Sequence, residues 1–353
     1  MEVTKKFKQV PSIKKTILSP VALALAATFA LVSCNSIDDD LSDCGKDYRM
    51  DYELRLITNI STEIETVLNT DADQPVADAL RQHLKNIFTD FAHDVDLSFY
   101  DTQGDSMRLH HEQHIMDANE ESYTIYLPVQ EYMHLALANI ADAHSVTYNG
   151  DIRCPTARLS HAITADTIDS QNTGLFTARL PMHILEGQDQ DFYVRLYMVN
   201  SAAALVVDTT NCEFRRMWTV TTDMADNFLL RDSIYSFHTN PIIRTNDVVA
   251  SAGTQACFCS VNFPSRDLPV SRTRATSADS DPSQGSCWQM RLYVALTDGT
   301  ITENRIYVYE PLKAGNLKII KVKTDAYGRV ESTDQEVGVG VSLDWKGGLD
   351  FNR

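Results

Sequence analysis

The sequence predicts a mainly β protein built as two β-sandwich halves, with one short helix in the first half. Three observations carry this reading. Tyr48, Met50, Tyr52, Leu54 and Leu56 alternate with Arg49, Asp51, Glu53 and Arg55, the period of a half-buried strand. Short apolar runs bounded by turn residues then recur through the rest of the chain, the pattern of stacked antiparallel sheets. The polar stretch from Glu186 to Asp191 (EGQDQD) separates two apolar segments and reads as a boundary between the halves.

Ahead of the first strand stands a leader. Lys5, Lys6, Lys8, Lys14 and Lys15 precede an apolar run from Ile17 to Val32, broken once at Ser19-Pro20. The run is shorter than the ~20 residues a membrane-spanning helix needs, and a basic leader with an apolar core is the pattern of a secretory signal. Leu31-Val32-Ser33-Cys34 resembles a bacterial lipobox, which makes Cys34 the lipidated first residue of the mature chain. The bland alternative is an ordinary signal peptide with a chance cysteine. Two or three acyl chains on one residue hold a protein to a membrane firmly. Asp38, Asp39 and Asp40 follow at once; such an acidic run serves as a solvated tether and also resembles the surface-export signal of Bacteroides-type lipoproteins. The expected organisation is residues 1–33 as signal peptide, 34–46 as lipidated acidic tether, 47–187 as the first sandwich and 188–353 as the second.

The formal net charge is −17, and it becomes −21 once the leader removes five lysines and one glutamate. Phosphate backbones need a basic surface, so nucleic acid is not an expected partner. Beyond Cys34 the chain carries Cys44, Cys154, Cys212, Cys257, Cys259 and Cys287. Outside the cytoplasm six cysteines allow up to three bridges, with the pairing left open, or some remain as buried thiols. Cys257 and Cys259 flank Phe258 and share one face of a strand.

The elements follow in order. After the first strand, Pro75 opens a helix whose Val76, Leu80, Leu84, Ile87, Phe88 and Phe91 form one apolar stripe, read as core contact. Strands are predicted at Val95–Tyr100, Tyr123–Leu127, Tyr132–Leu137 and Leu175–Leu180, with an irregular stretch from Gly150 to Gly174. In the second half, strands are predicted at Phe192–Met198, Ala203–Val207, Trp288–Leu296, Ile301–Glu310, Leu317–Thr324 and Val337–Leu343. Asp298-Gly299 and Gly328 mark turns, and Pro264–Ser286 reads as a long surface loop.

The order of several motifs carries a resemblance. Asp39-Asp40-Leu41-Ser42-Asp43-Cys44 behind the lipobox resembles the start of the FimB-type fimbrial anchor lipoproteins of Bacteroides-like bacteria. Leu97–Asp101 with Gly104, Tyr126-Leu127-Pro128 with Tyr132, Trp288–Val294, Glu310–Gly315, Val337–Val341 and Asp344-Trp345 resemble later parts of that family. Ala138-Asn139-Ile140 departs from it, and residues 150–187 and 212–250 carry little of it. The resemblance implies two transthyretin-like β-sandwich domains in tandem. It also implies an outer-membrane, surface-exposed structural subunit at the base of a fimbria, with shaft subunits joined by strand addition. The alternatives are a tip or accessory fimbrillin adhesin and a surface glycan-binding lipoprotein.

The chemistry-bearing residues support no enzyme. There is no Gly-x-Ser-x-Gly elbow and no glycine-rich phosphate loop, and no catalytic residue, cofactor or metal is expected. His110-His111-Glu112-Gln113-His114 is the nearest thing to a metal motif. On a strand His110, Glu112 and His114 share a face, but the two histidines stand ~13 Å apart. For glycan binding, the aromatic platforms on offer are Trp218, Trp288 and Trp345, two of them inside predicted strands.

Overall fold

The computed structural model describes residues 47–55, 60–88, 92–115, 122–150, 152–162, 167–249, 254–267, 285–332 and 337–342. Strands are numbered in chain order. The first sheet has seven strands, in the order β3 (Arg108–Ile115), β2 (Asp94–Asp101), β5 (Glu131–Ala138), β9 (Phe176–His183), β10 (Asp191–Met198), β1 (Asp47–Arg55) and β4 (Ser122–Tyr126). The second has five: β16 (Asn246–Val249), β17 (Gln255–Asn262), β11 (Ser201–Asp208), β20 (Leu317–Thr324) and β21 (Val330–Ser332). The third has six: β22 (Val337–Ser342), β19 (Ile301–Val308), β18 (Trp288–Leu296), β12 (Phe214–Thr222), β15 (Ile242–Arg244) and β8 (Thr167–Asp169). The fourth has four: β14 (Ile234–Ser236), β13 (Asn227–Leu229), β7 (Arg158–His161) and β6 (Val146–Asn149).

Three cores hold these layers together. The fourth sheet packs on one face of the first, with Tyr100, Leu135, Leu137, Leu159 and Phe228 between them. The second and third sheets form the other sandwich around Leu205, Phe258, Trp288, Leu292 and Ile320. Two helices, α1 (Ile60–Val67) and α2 (Gln74–Ile87), join the sandwiches: Ile64, Leu80 and Leu84 share one core with Leu97 of the first sheet and with Val206, Cys257 and Ile319 of the second. The protein is thus mainly β, with two sandwiches in series.

The sequence explains the layering. β11 reads SAAALVVD and is buried on both faces, so its residues split by parity: Ala202, Ala204 and Val206 face the helices, and Ala203, Leu205 and Val207 face the third sheet. α2 forms where Pro75 opens it, and its stripe buries Val76, Ala77, Leu80, Leu84 and Ile87. The eight residues of α1, ISTEIETV, are rich in β-branched side chains, and the sequence reading assigns no helix there.

The strand expectations hold closely. Two segments differ. The stretch Gly150–Gly174 contains the short strands β7 and β8, and residues 212–250 supply β12 to β16. Many of these are only three or four residues long, too short for periodicity to declare them.

The sequence boundary at residue 187 does not coincide with a change of sheet. β10, which follows it, lies in the first sheet and pairs in parallel with β1, from Arg49↔Asp191 to Arg55↔Tyr197. The polar stretch at 186–191 is the hairpin turn between β9 and β10. Gly187 takes a positive φ of 71°, the Leu185 amide donates to Gln190 Oε1 at 2.9 Å, and Gln190 Nε2 donates to the His183 carbonyl at 3.1 Å. The halves also exchange strands: β13 and β14 complete the fourth sheet from beyond residue 187, and β8 joins the third from before it.

Buried asparagines tie loops to this frame. Asn139, at a positive φ of 66°, accepts from the His93 amide at 2.7 Å and donates to the Gly174 carbonyl at 2.8 Å. Asn304 donates to the Gly328 carbonyl at 2.8 Å and accepts from the Val330 amide at 2.9 Å. Gly328 must be glycine twice over: its φ is +69°, and a Cβ there would lie 2.9 Å from Val294.

Candidate functional site

Cys34, the aspartates Asp38–Asp40 and Cys44 lie outside the described residues, as do Phe91, Leu343, Trp345 and residues 268–284 of the loop expected at Pro264–Ser286. Cys154, Cys212, Cys257, Cys259 and Cys287 are all free and buried. Of the two outcomes the sequence left open, bridges or buried thiols, these five cysteines take the second. Each sits in an apolar core, where a thiol packs as a small hydrophobe. Burial pushes the Cys257 thiol up to about 12 and Cys259 well above its usual value, so neither is a nucleophile near neutral pH.

The C-terminal strand is the clearest candidate for an assembly element. β22 pairs antiparallel with β19, from Val308↔Val337 to Glu303↔Ser342, and forms the outer edge of the third sheet. Val339 is half-buried and packs on the core between the second and third sheets. The strand therefore closes its own sandwich on one side. Its other side is a sheet edge, the kind of surface that can accept a further strand.

The histidine motif lies on β3, an edge strand of the first sheet. Glu112 lies between two ring nitrogens, with His110 Nε2 at 2.6 Å from Oε1 and His114 Nε2 at 2.7 Å from Oε2. Burial by itself would raise the Glu112 pKa, but the bonds from His110 and His114 outweigh it and hold the carboxyl below its usual value. On the opposite face His111 Nε2 is 2.6 Å from Asp96 Oδ2. Among the described residues no group of three or more His, Cys, Asp or Glu is arranged to hold a metal ion. Two imidazoles share one carboxylate along β3, and only the third, His111, crosses to β2.

Neither described tryptophan offers a platform. Trp288 is fully buried and donates from Nε1 to the Glu310 carbonyl at 3.0 Å. Trp218 stacks on Tyr293 with ring centroids 5.3 Å apart, and the Arg216 guanidinium lies 5.3 Å from its centroid. An open aromatic strip lies on β10. Tyr193 is 74% exposed and Tyr197 47%, with exposed Arg195 between them on one face. The signal was legible in DFYVRLYM, where Tyr193, Arg195 and Tyr197 share a parity and Val194, Leu196 and Met198 take the buried one.

Residues 71–220 match the family described as "Mfa2: Fimbrillin-A associated anchor proteins Mfa1 and Mfa2". The resemblance to fimbrial anchor proteins is borne out by this match. Among solved structures, a candidate adhesin from Bacteroides ovatus shares the fold, with a TM-score of 0.50 and 13% identity over 84% of this chain and 96% of that one. A structure from Bacteroides thetaiotaomicron described as a candidate polysaccharide-binding protein is similar at TM-score 0.49 and 9% identity, over 85% of this chain and 98% of the other. The fimbrial anchor protein Mfa2 from Porphyromonas gingivalis is similar at TM-score 0.43 and 10% identity, over 72% of this chain and 79% of the other. No curated protein matches the chain.

Proposed function

We propose that this chain is the lipid-held structural subunit of a cell-surface fimbria, anchoring the shaft to the outer membrane through Cys34. The observation that carries the reading is the lipobox Leu31–Cys34 directly ahead of an acidic tether, on a chain whose residues 71–220 match a family of fimbrillin-associated anchor proteins. The fold supports it. Its work is mechanical and adhesive: three buried cores, helices bonded to both sandwiches, and sheet edges at β22 and β3 that suit strand addition by shaft subunits. The reading includes no enzymatic step. The buried thiols are raised out of reach, and the histidines are engaged by Glu112 on their own strand and by Asp96 on β2.

The lipid claim makes a direct prediction. Among the described residues no helix is long and apolar enough to cross a membrane. Replacing Cys34 with Ala should therefore move the protein from the membrane pellet to the soluble fraction after high-salt washing. A variant that stayed with the membrane would overturn the lipid anchor while leaving the fimbrial assignment to stand on the family match.

A further inference from the structure

The fourth sheet covers only part of the face it packs on. The core beneath it draws on β2 and β5, and the strip along β10 is left open. That strip carries Tyr193, Arg195 and Tyr197 on one face, and the rings of the two tyrosines are spaced ~13 Å apart by the strand repeat. It leads into a hollow of about 380 Å³ whose walls include Tyr197, Arg179, Arg195 and Tyr235. A second hollow, of about 630 Å³, shares Ser233 and Tyr235 with the first and continues past Phe237 to Asp267 and Lys313. The two therefore adjoin along the β13–β14 hairpin.

The lining has a definite chemistry. Tyr235 is fixed as part of the wall, with its hydroxyl donating to the Val199 carbonyl at 2.9 Å. Beside it Arg266 holds its guanidinium 4.3 Å from the Phe237 ring centroid and donates to the Phe237 carbonyl at 3.3 Å. Arg179, another wall residue, donates from Nη1 to the Arg231 carbonyl at 2.7 Å. Arg195 is held only loosely, 3.7 Å from Glu53. The walls of the two hollows thus carry Arg179, Arg195 and Lys313 with one carboxylate of their own, Asp267, while Glu53 stands 3.7 Å from Arg195 at the rim. That balance runs opposite to a chain of formal charge −17. Charges beyond about 8–10 Å are largely screened at physiological salt, so the local cations decide what the trough accepts. Aromatic faces take the apolar faces of flat rings, and guanidinium groups take carboxylates in paired hydrogen bonds.

We infer that the Tyr193–Tyr197 strip and the adjoining trough bind an oligosaccharide bearing carboxylate groups. The inference is independent of anchoring, because it uses no residue of the lipidated segment. The occupant is extended, since the strip shares Arg195 and Tyr197 with the first hollow and that hollow shares Ser233 and Tyr235 with the second, and it is anionic, since the cations of the walls outnumber their carboxylates.

The test uses the purified full chain in detergent and three probes: a hexamer of galacturonic acid, neutral maltohexaose, and a poly-glutamate peptide. The expected result is saturable binding of the galacturonate oligomer, at least tenfold tighter than maltohexaose, and weakening as salt rises. A Tyr193→Ala/Tyr197→Ala variant and an Arg195→Ala/Lys313→Ala variant should each lose tenfold or more. These side chains are exposed or line the trough, so both variants should keep the parent melting temperature. No binding, equal binding of the neutral sugar, or undiminished binding by the variants would overturn the inference. Tighter binding of the peptide than of the sugar would overturn it too, and would assign the trough to a protein partner. Membrane attachment of all these variants should be unchanged, so failure here leaves the anchor proposal untouched.

Discussion

Replacing Lys321 with Ala should destabilise the protein by about 2–3 kcal/mol, because it strands a carboxylate in the joint between the two sandwiches. Asp73 stands at the start of α2 and is 1% exposed. Its carboxylate accepts from Lys321 Nζ at 2.7 Å, from Thr70 Oγ1 at 2.6 Å and from Gln255 Nε2 at 2.9 Å. Lys321 and Gln255 belong to strands of the second sheet, so these bonds pin the helix layer to it. Glu63 of α1 adds a similar tie, accepting from the Ile319 amide at 3.1 Å. Thr70 and Gln255 stay in place in the variant and Lys321 is partly exposed, which keeps the loss below that of a fully buried pair. Thermal melting should register it as a drop of roughly 3–5 °C. A variant that melts with the parent would show that the joint does not depend on this pair.

The same carboxylate predicts how acid acts. Burial by itself would raise the pKa of Asp73, but its hydrogen bonds from Lys321, Thr70 and Gln255 outweigh that and hold it at about 2, against an ordinary 3.8. A carboxyl held down in the fold stabilises it above its unfolded value, and that contribution is lost as pH falls from about 4 through 2. His134 and His161 act earlier. Burial lowers them to about 3 and about 4 from 6.5, so the unfolded chain binds their protons first and stability starts to fall below about pH 6.5. Denaturant midpoints across pH should fall in two stages, and Asp73→Asn should flatten only the lower one.

Trp288→Ala should cost more, about 3–5 kcal/mol, since it empties the largest fully buried side chain among the described residues. The ring fills the core of the second sandwich, and its indole nitrogen satisfies the Glu310 carbonyl. Trp288→Phe keeps most of the apolar contact and loses the hydrogen bond, so it should cost about 1–2 kcal/mol. Melting curves of the two variants would order as Ala below Phe below parent. Equal curves for the Ala variant and the parent would contradict the described packing.

Long strands were legible in the sequence where parity separates buried from exposed positions, as in Phe192–Met198, or where an apolar run marks a strand buried on both faces, as in Trp288–Leu296. α2 was legible from Pro75 and its apolar stripe. The elements that escaped carry too little pattern. β7, β8 and β13 to β16 run three or four residues, and α1 is an eight-residue helix of strand-like composition. The polar run at 186–191 misled because a hairpin turn and a domain linker share a composition; only the pairing of β10 with β1 tells them apart. Candidate sites followed the same rule. Tryptophans are the obvious glycan platforms in the sequence, yet it is Tyr193 and Tyr197 that stand exposed, as their parity on β10 implies. The cysteine reading left bridges open, and the cores keep the five described thiols apart as packing groups.

The central claim is that this chain remains at the membrane as an acylated anchor while it carries a fimbria. The most direct measurement is mass analysis of the N-terminal peptide of the protein recovered from fimbriated cells, together with its position along intact fimbriae by immunogold labelling. The account predicts an N-terminus at Cys34 bearing its acyl chains, with label confined to the base of each fimbria. A mature N-terminus beyond residue 46, with label along the shaft or at the tip, would contradict it.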